Sequence, residues 1–88
     1  MKPIVVGTLE SSDCMITLKP HDTLEIEIDS PVAAVFGAQI RAAIKAALKK
    51  EHLTNVHVLC QDKGALDYAI EARVRAAAAR FKEVRDAS

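Results

Sequence analysis

Tryptophan is absent from this chain, and Phe36, Tyr68 and Phe81 are its only aromatic residues. Fifteen alanines fill much of the hydrophobic half of its 88 residues, so bulky apolar groups are few. A chain this short buries roughly 60–65% of the surface its unfolded form exposes, and docking onto a partner is expected to supplement its core. An excess of charge is also lacking: 12 basic residues balance 12 acidic ones. That argues against nucleic-acid binding, whose affinity rests on unpaired Lys and Arg facing phosphate. It also removes the polybasic face of a membrane-surface protein.

Cysteine and histidine are scarce. Cys14 and Cys60 lie far apart and outside any CxxC pattern, and with three histidines beside them a structural zinc site is poorly supported. Free, buried thiols in a cytoplasmic protein are expected, since a disulfide would require the strands carrying them to be neighbours. No apolar run approaches the roughly 18–20 residues of a membrane span. Met1–Gly7 lacks the long apolar stretch of a signal peptide.

What is present is periodicity. Cys14, Ile16 and Leu18 alternate with Met15 and Thr17, and Leu24, Ile26 and Ile28 alternate with Glu25, Glu27 and Asp29. The turn residues Lys19-Pro20-His21-Asp22 between them suggest a hairpin with one wet acidic face. Ser30-Pro31 reads as a helix start with Ser30 as N-cap, followed by Val32, Val35/Phe36, Ile40, Ala43/Ile44 and Ala47/Leu48 at helical spacing and an end near His52. Asn55–Gln61 alternates as a third strand. Asp62-Lys63-Gly64 breaks it, with Asp62 the expected cap of a second helix whose stripe is Leu66, Ile70, Val74, Ala77, Phe81 and Val84. With room for a further short strand at Ile4–Thr8, the order strand, strand, helix, strand, helix predicts an α+β two-layer sandwich. Its sheet is mainly antiparallel, both helices lie on one face, and residues 1–88 form a single domain.

Catalytic groupings are hard to find. His21, His52 and His57 have no partners at triad or metal-ligand spacing. The carboxylates Glu25 and Glu27 are explained by a solvated strand face, and Arg73, Arg75, Arg80, Lys82 and Arg85 by a solvated helix face. Neither GxxxxGK[ST] nor GxGxxG occurs. Gly64 fits a strand-to-helix turn, with a phosphate- or partner-binding loop as the functional alternative. In Gly7-Thr8-Leu9-Glu10-Ser11-Ser12-Asp13, two serines occupy a polar, exposed turn. They have no neighbouring base, but a modification acceptor needs only exposure and a recognisable flank, since the modifying enzyme brings its own base.

Four stretches carry a resemblance: Gly7–Asp13, Val35-Phe36-Gly37-Ala38-Gln39-Ile40-Arg41, Asp62-Lys63-Gly64-Ala65-Leu66-Asp67, and Glu71-Ala72-Arg73-Val74. Together, from about Gly7 to Phe81, they resemble the citrate lyase acyl carrier protein family, the small gamma subunits of citrate lyase. The resemblance implies that Ser11, the serine directly after the Glu, carries phosphoribosyl-dephospho-CoA through a phosphodiester. Ser12 sits where the family also accepts Gly. Two departures, Gln61 where an acidic residue is common and Tyr68 where Cys is common, bear on docking rather than on attachment.

The implied role is that of a non-catalytic carrier. A prosthetic-group transferase installs the arm and an acetate ligase acetylates its thiol. The alpha subunit then exchanges acetyl for citrate, and the beta subunit releases oxaloacetate. A serine ahead of a strand separates the chain from the helical carriers of fatty-acid synthesis, with their Asp-Ser-Leu at a helix start. The alternatives are a carrier of citramalate lyase, or an interaction module without a prosthetic group that binds through a sheet edge or the Ala-rich helix. The face of Glu25, Glu27 and Asp29 and the loop Asp62–Asp67 are the expected docking surfaces.

Overall fold

The computed structural model describes residues 1–87. In chain order the elements are β1 (Ile4–Gly7), β2 (Cys14–Pro20), β3 (Glu25–Asp29), α1 (Ala33–Lys50), β4 (Val56–Asp62) and α2 (Asp67–Asp86). The strands form one sheet in the order β1-β2-β4-β3. The pairs β1/β2 and β2/β4 are antiparallel and β3/β4 is parallel, so the sheet is mainly antiparallel.

The expected hairpin between β2 and β3 does not form, because β4 lies between them. A parallel pair cannot be closed by a tight turn and needs a long crossover, which α1 supplies between β3 and β4. That register sets Ile26 beside Val58 and Ile28 beside Cys60, so the apolar residues of both strands share the inner face. The acidic side chains of Glu25 and Glu27 point outward from the edge strand, where charge discourages pairing with another sheet.

Both helices cover the inner face. Cys14, Ile16, Leu18, Val56, Val58 and Cys60 from the sheet meet Ile40, Ile44 and Leu48 from α1 and Ile70, Val74 and Phe81 from α2 in one buried cluster. Ala43, Ala47, Ala77 and Ala78 are buried as well. These small side chains let the helices pack closely, and only one of the three aromatic rings, Phe81, is spent on the core. The helices run in the same sense: Gln39 near the start of α1 reaches Asp67 at the start of α2, while Glu51 after α1 reaches Arg75 and Lys82 further along α2.

The helix ends depart from expectation. Ser30 does not cap α1, which begins at Ala33 with Val32 at the cap position and no side-chain cap. Instead the Ser30 hydroxyl donates to Asp62 Oδ2 at 2.8 Å and accepts from the Val32 N–H at 3.2 Å, holding a turn ahead of the helix. Asp62 does not cap α2, whose cap position is Leu66. It is the buried last residue of β4, and its Oδ1 accepts the N–H groups of Gly64 and Ala65, so it closes the loop rather than starting the helix.

The C-terminus of α1 is orthodox except in one residue. The N–H of His52 bonds Lys49 O and that of Leu53 bonds Leu48 O, with Leu53 buried beneath, which is the Schellman arrangement. The left-handed position, at φ 53°, belongs to His52 rather than to glycine.

Two apolar stripes overrun the core. Val32, Val35 and Phe36 on the first turns of α1, and Leu66 and Val84 of the α2 stripe, are exposed. The thiols of Cys14 and Cys60 are buried and free although β2 and β4 are neighbours; in register Cys14 opposes Asp62 and Cys60 opposes Ile16. No described helix is long and apolar enough to cross a membrane.

Candidate functional site

The site is built at the β1–β2 connection. Gly7 closes β1 at φ 105°, and a Cβ there would lie 2.0 Å from Cys14 O, so only glycine lets the two strands approach at this point. Thr8 N–H then bonds Cys14 O at 3.2 Å, and Asp13 N–H bonds Glu10 O at 3.2 Å, leaving Ser11 and Ser12 as the two central residues of a turn. Ser12 has φ 66°, the positive value that the second central position of a type II turn demands and that glycine adopts without cost. Ser11 is exposed at the tip.

Asp13 fixes the turn from below. Its Oδ2 accepts from Thr8 Oγ1 at 2.6 Å and from Arg73 Nη2 at 2.8 Å, and its Oδ1 accepts from the Cys14 N–H at 2.7 Å and from Arg73 Nε at 3.1 Å. The bidentate Arg73 guanidinium, helped by Thr8 and Cys14, holds the Asp13 carboxyl well below the usual carboxylate range. With its carboxylate oxygens engaged by Thr8, Cys14 and Arg73, Asp13 anchors the turn.

The turn is also tied sideways. Ser12 N–H bonds Lys63 O at 2.8 Å and Lys63 N–H bonds Asp13 O at 2.9 Å. The segment at Asp62–Asp67, itself folded around the Asp62 carboxylate, therefore forms one surface with the serine turn. Three of the sequence stretches singled out above meet here: the first supplies Ser11 and Asp13, the third Lys63, and the last Arg73. Arg73 is thus ion-paired while still partly exposed, and Arg75 and Lys82 are bound to Glu51 at 2.9 and 3.3 Å, so much of the solvated basic face of α2 is paired. The roles of Asp13 and Arg73 were not read from sequence. Their signal is an acid and a base in separate stretches that share no periodicity with their neighbours.

Beyond Lys63 opens a groove of about 760 Å³ between the N-terminal turns of the two helices, lined by residues that include Phe36, Gln39, Gly64, Leu66, Tyr68 and Glu71. Gln39 Nε2 donates to Asp67 Oδ2 at 3.0 Å across it. Gly64, at φ 95° with open space where a Cβ would stand, is there for backbone conformation alone.

The histidines lie elsewhere. His21 and His57 sit on the outer sheet face, 3.1 Å from Glu25 and 3.2 Å from Glu27, and His52 ends α1. Among the described residues no three His, Cys, Asp or Glu side chains are grouped to hold a metal ion.

Comparison with known proteins places the chain in a family. A family model for acyl carrier proteins described as malonate decarboxylase delta subunit (MdcD) matches residues 1–81. The citrate lyase acyl carrier protein of Haemophilus influenzae (strain PittGG) is 51% identical over 79 residues, covering 90% of this chain and 83% of that protein. Those of Halothermothrix orenii and Treponema denticola are 49% and 40% identical, over 81% and 90% of this chain and 77% and 91% of theirs. With a family model matched over nearly its whole length and relatives of this identity, the chain belongs to the citrate lyase acyl carrier protein family.

Proposed function

We propose that this chain is the acyl carrier subunit of a citrate lyase, a non-catalytic component that bears its prosthetic group on Ser11. The observation that carries the reading is the clamped turn. Ser11 stands exposed on a turn whose conformation is fixed by Asp13, Arg73 and Lys63, within a chain whose relatives are named citrate lyase acyl carrier proteins.

The residues present fit a bulky phosphodiester. The Ser11 tip is open to solvent, and Ser12 and Asp13 use their backbone groups on Lys63, away from the tip. Phosphoribosyl-dephospho-CoA, when bound, supplies a thiol able to carry acyl groups. The chain's own contribution is to hold the anchor still while the tether raises the local concentration of that thiol at the active sites of the alpha and beta subunits. Asp13 keeps the turn in one conformation for the prosthetic-group transferase, which must recognise its flank.

Intact mass and peptide mapping of the chain coexpressed with an active transferase test the assignment. The added mass is expected on the Ser11 peptide and is lost in Ser11→Ala, which folds normally and leaves the assembled lyase inactive. Uptake of the arm by Ser11→Ala would refute Ser11 as the anchor. The description of the matching family model favours one second reading, a carrier for malonate decarboxylase. Assembling the loaded chain with each complex in turn, and assaying citrate, citramalate and malonate, separates the readings by the acid consumed.

A further inference from the structure

The groove beside the serine turn is unexplained by a role confined to Ser11. Its walls expose large side chains, among them Phe36 and Leu66 from the two helical stripes: Phe36 is 48%, Leu66 63% and Tyr68 72% exposed. Its volume, about 760 Å³, is that of a small-molecule site.

Resting on the carrier reading above, we propose that this groove seats the adenine base of the arm attached to Ser11, stacked against Tyr68 and Phe36. Position supports it first. The Ser12–Lys63 hydrogen bond joins the anchor turn directly to the loop that forms the groove's near rim. The Cα path from Ser11 across that bond to Gly64 spans at most about 13 Å, so the first nucleotide beyond the serine lies at the rim.

Charge decides which part of the arm enters. The lining holds Asp62, Asp67 and Glu71 and no cation, so it repels phosphate. A neutral flat base with an exocyclic amine suits it: the ring faces Tyr68 and Phe36, and the amine can donate to Glu71, which makes no ion pair among the described residues. The phosphates stay outside, on the side of exposed Lys63. Weak intrinsic affinity suffices, because a short tether presents the base at an effective concentration in the millimolar range. The groove thereby parks the root of the arm and leaves its thiol end free.

Tyr68 reports the outcome by itself, since the chain has one tyrosine and no tryptophan. The probes are the unloaded and loaded full-length chain, loading being read from the mass of the Ser11 peptide, with neutral acrylamide as quencher of tyrosine fluorescence. In the loaded chain the base is expected to lower Tyr68 emission and to cut the acrylamide quenching constant to roughly half. Phe36→Ala and Glu71→Gln, both surface changes whose fold is checked by circular dichroism, should keep the added mass and lose most of that protection. Loading at Ser11 with Tyr68 as accessible as before overturns the groove proposal and leaves the carrier reading intact. Protection that persists undiminished in both variants also overturns it. A Ser11 peptide that never gains mass overturns both readings.

Discussion

At Ser12 the backbone uses a left-handed conformation that a side chain resists, at φ 66°. Substituting glycine removes a strain of about 1–2 kcal/mol and costs part of it back through the unfolded chain. Ser12→Gly is therefore expected to raise stability by about 0.5–1 kcal/mol in denaturant unfolding and to leave loading at Ser11 intact, which distinguishes the two serines. Asp13 gives a pH dependence. Because Arg73 lowers its carboxyl in the fold, the contribution is complete above the ordinary carboxylate range and is lost as pH falls below about 4. Glu51, lowered by Arg75 and then Lys82, acts in the same direction. Thermal unfolding followed from about pH 6 to pH 2 should show a steep acid limb, shallower in Asp13→Asn, whose amide no longer gains from deprotonation.

Among the elements, α1 has the clearest irregular end. His52 occupies the position of its Schellman turn that glycine fills best, so His52→Gly is expected to add about 0.5–1 kcal/mol, read as a shift of the unfolding midpoint at unchanged slope. The strands and the central stretches of both helices were legible in the sequence because alternation and the 3.6-residue stripe report burial directly. Pairing was not. Leu24–Asp29 alternates in the same way whether it bonds β2 or β4, and only the parallel register made possible by α1 decides it. The caps misled for a related reason. Ser30 and Asp62 have cap chemistry, but they bond each other across 32 residues, and no local pattern shows that. The serine turn was legible as an exposed turn and through its resemblance to a family. Its clamp was not, because Asp13 and Arg73 are 60 residues apart.

Taken whole, the molecule puts its specialised surface at one end. The serine turn, the Asp62 loop and the N-terminal turns of both parallel helices gather there, while the Glu51 knot with Arg75 and Lys82 ties the two helices together further along. The packing of the helices on the sheet shields one more feature. Cys14 and Cys60 have no exposed surface, although Cys14 directly follows the residue that anchors the turn. Contact with Cys14, and burial after it, push the Cys60 thiol up, further from the reactive thiolate. Mass-resolved alkylation should accordingly find both thiols inert in the folded chain and two adducts after denaturation. If the chain carries acyl thioesters as proposed, an open thiol beside the serine turn would capture them by acyl migration, and burying both cysteines closes that route.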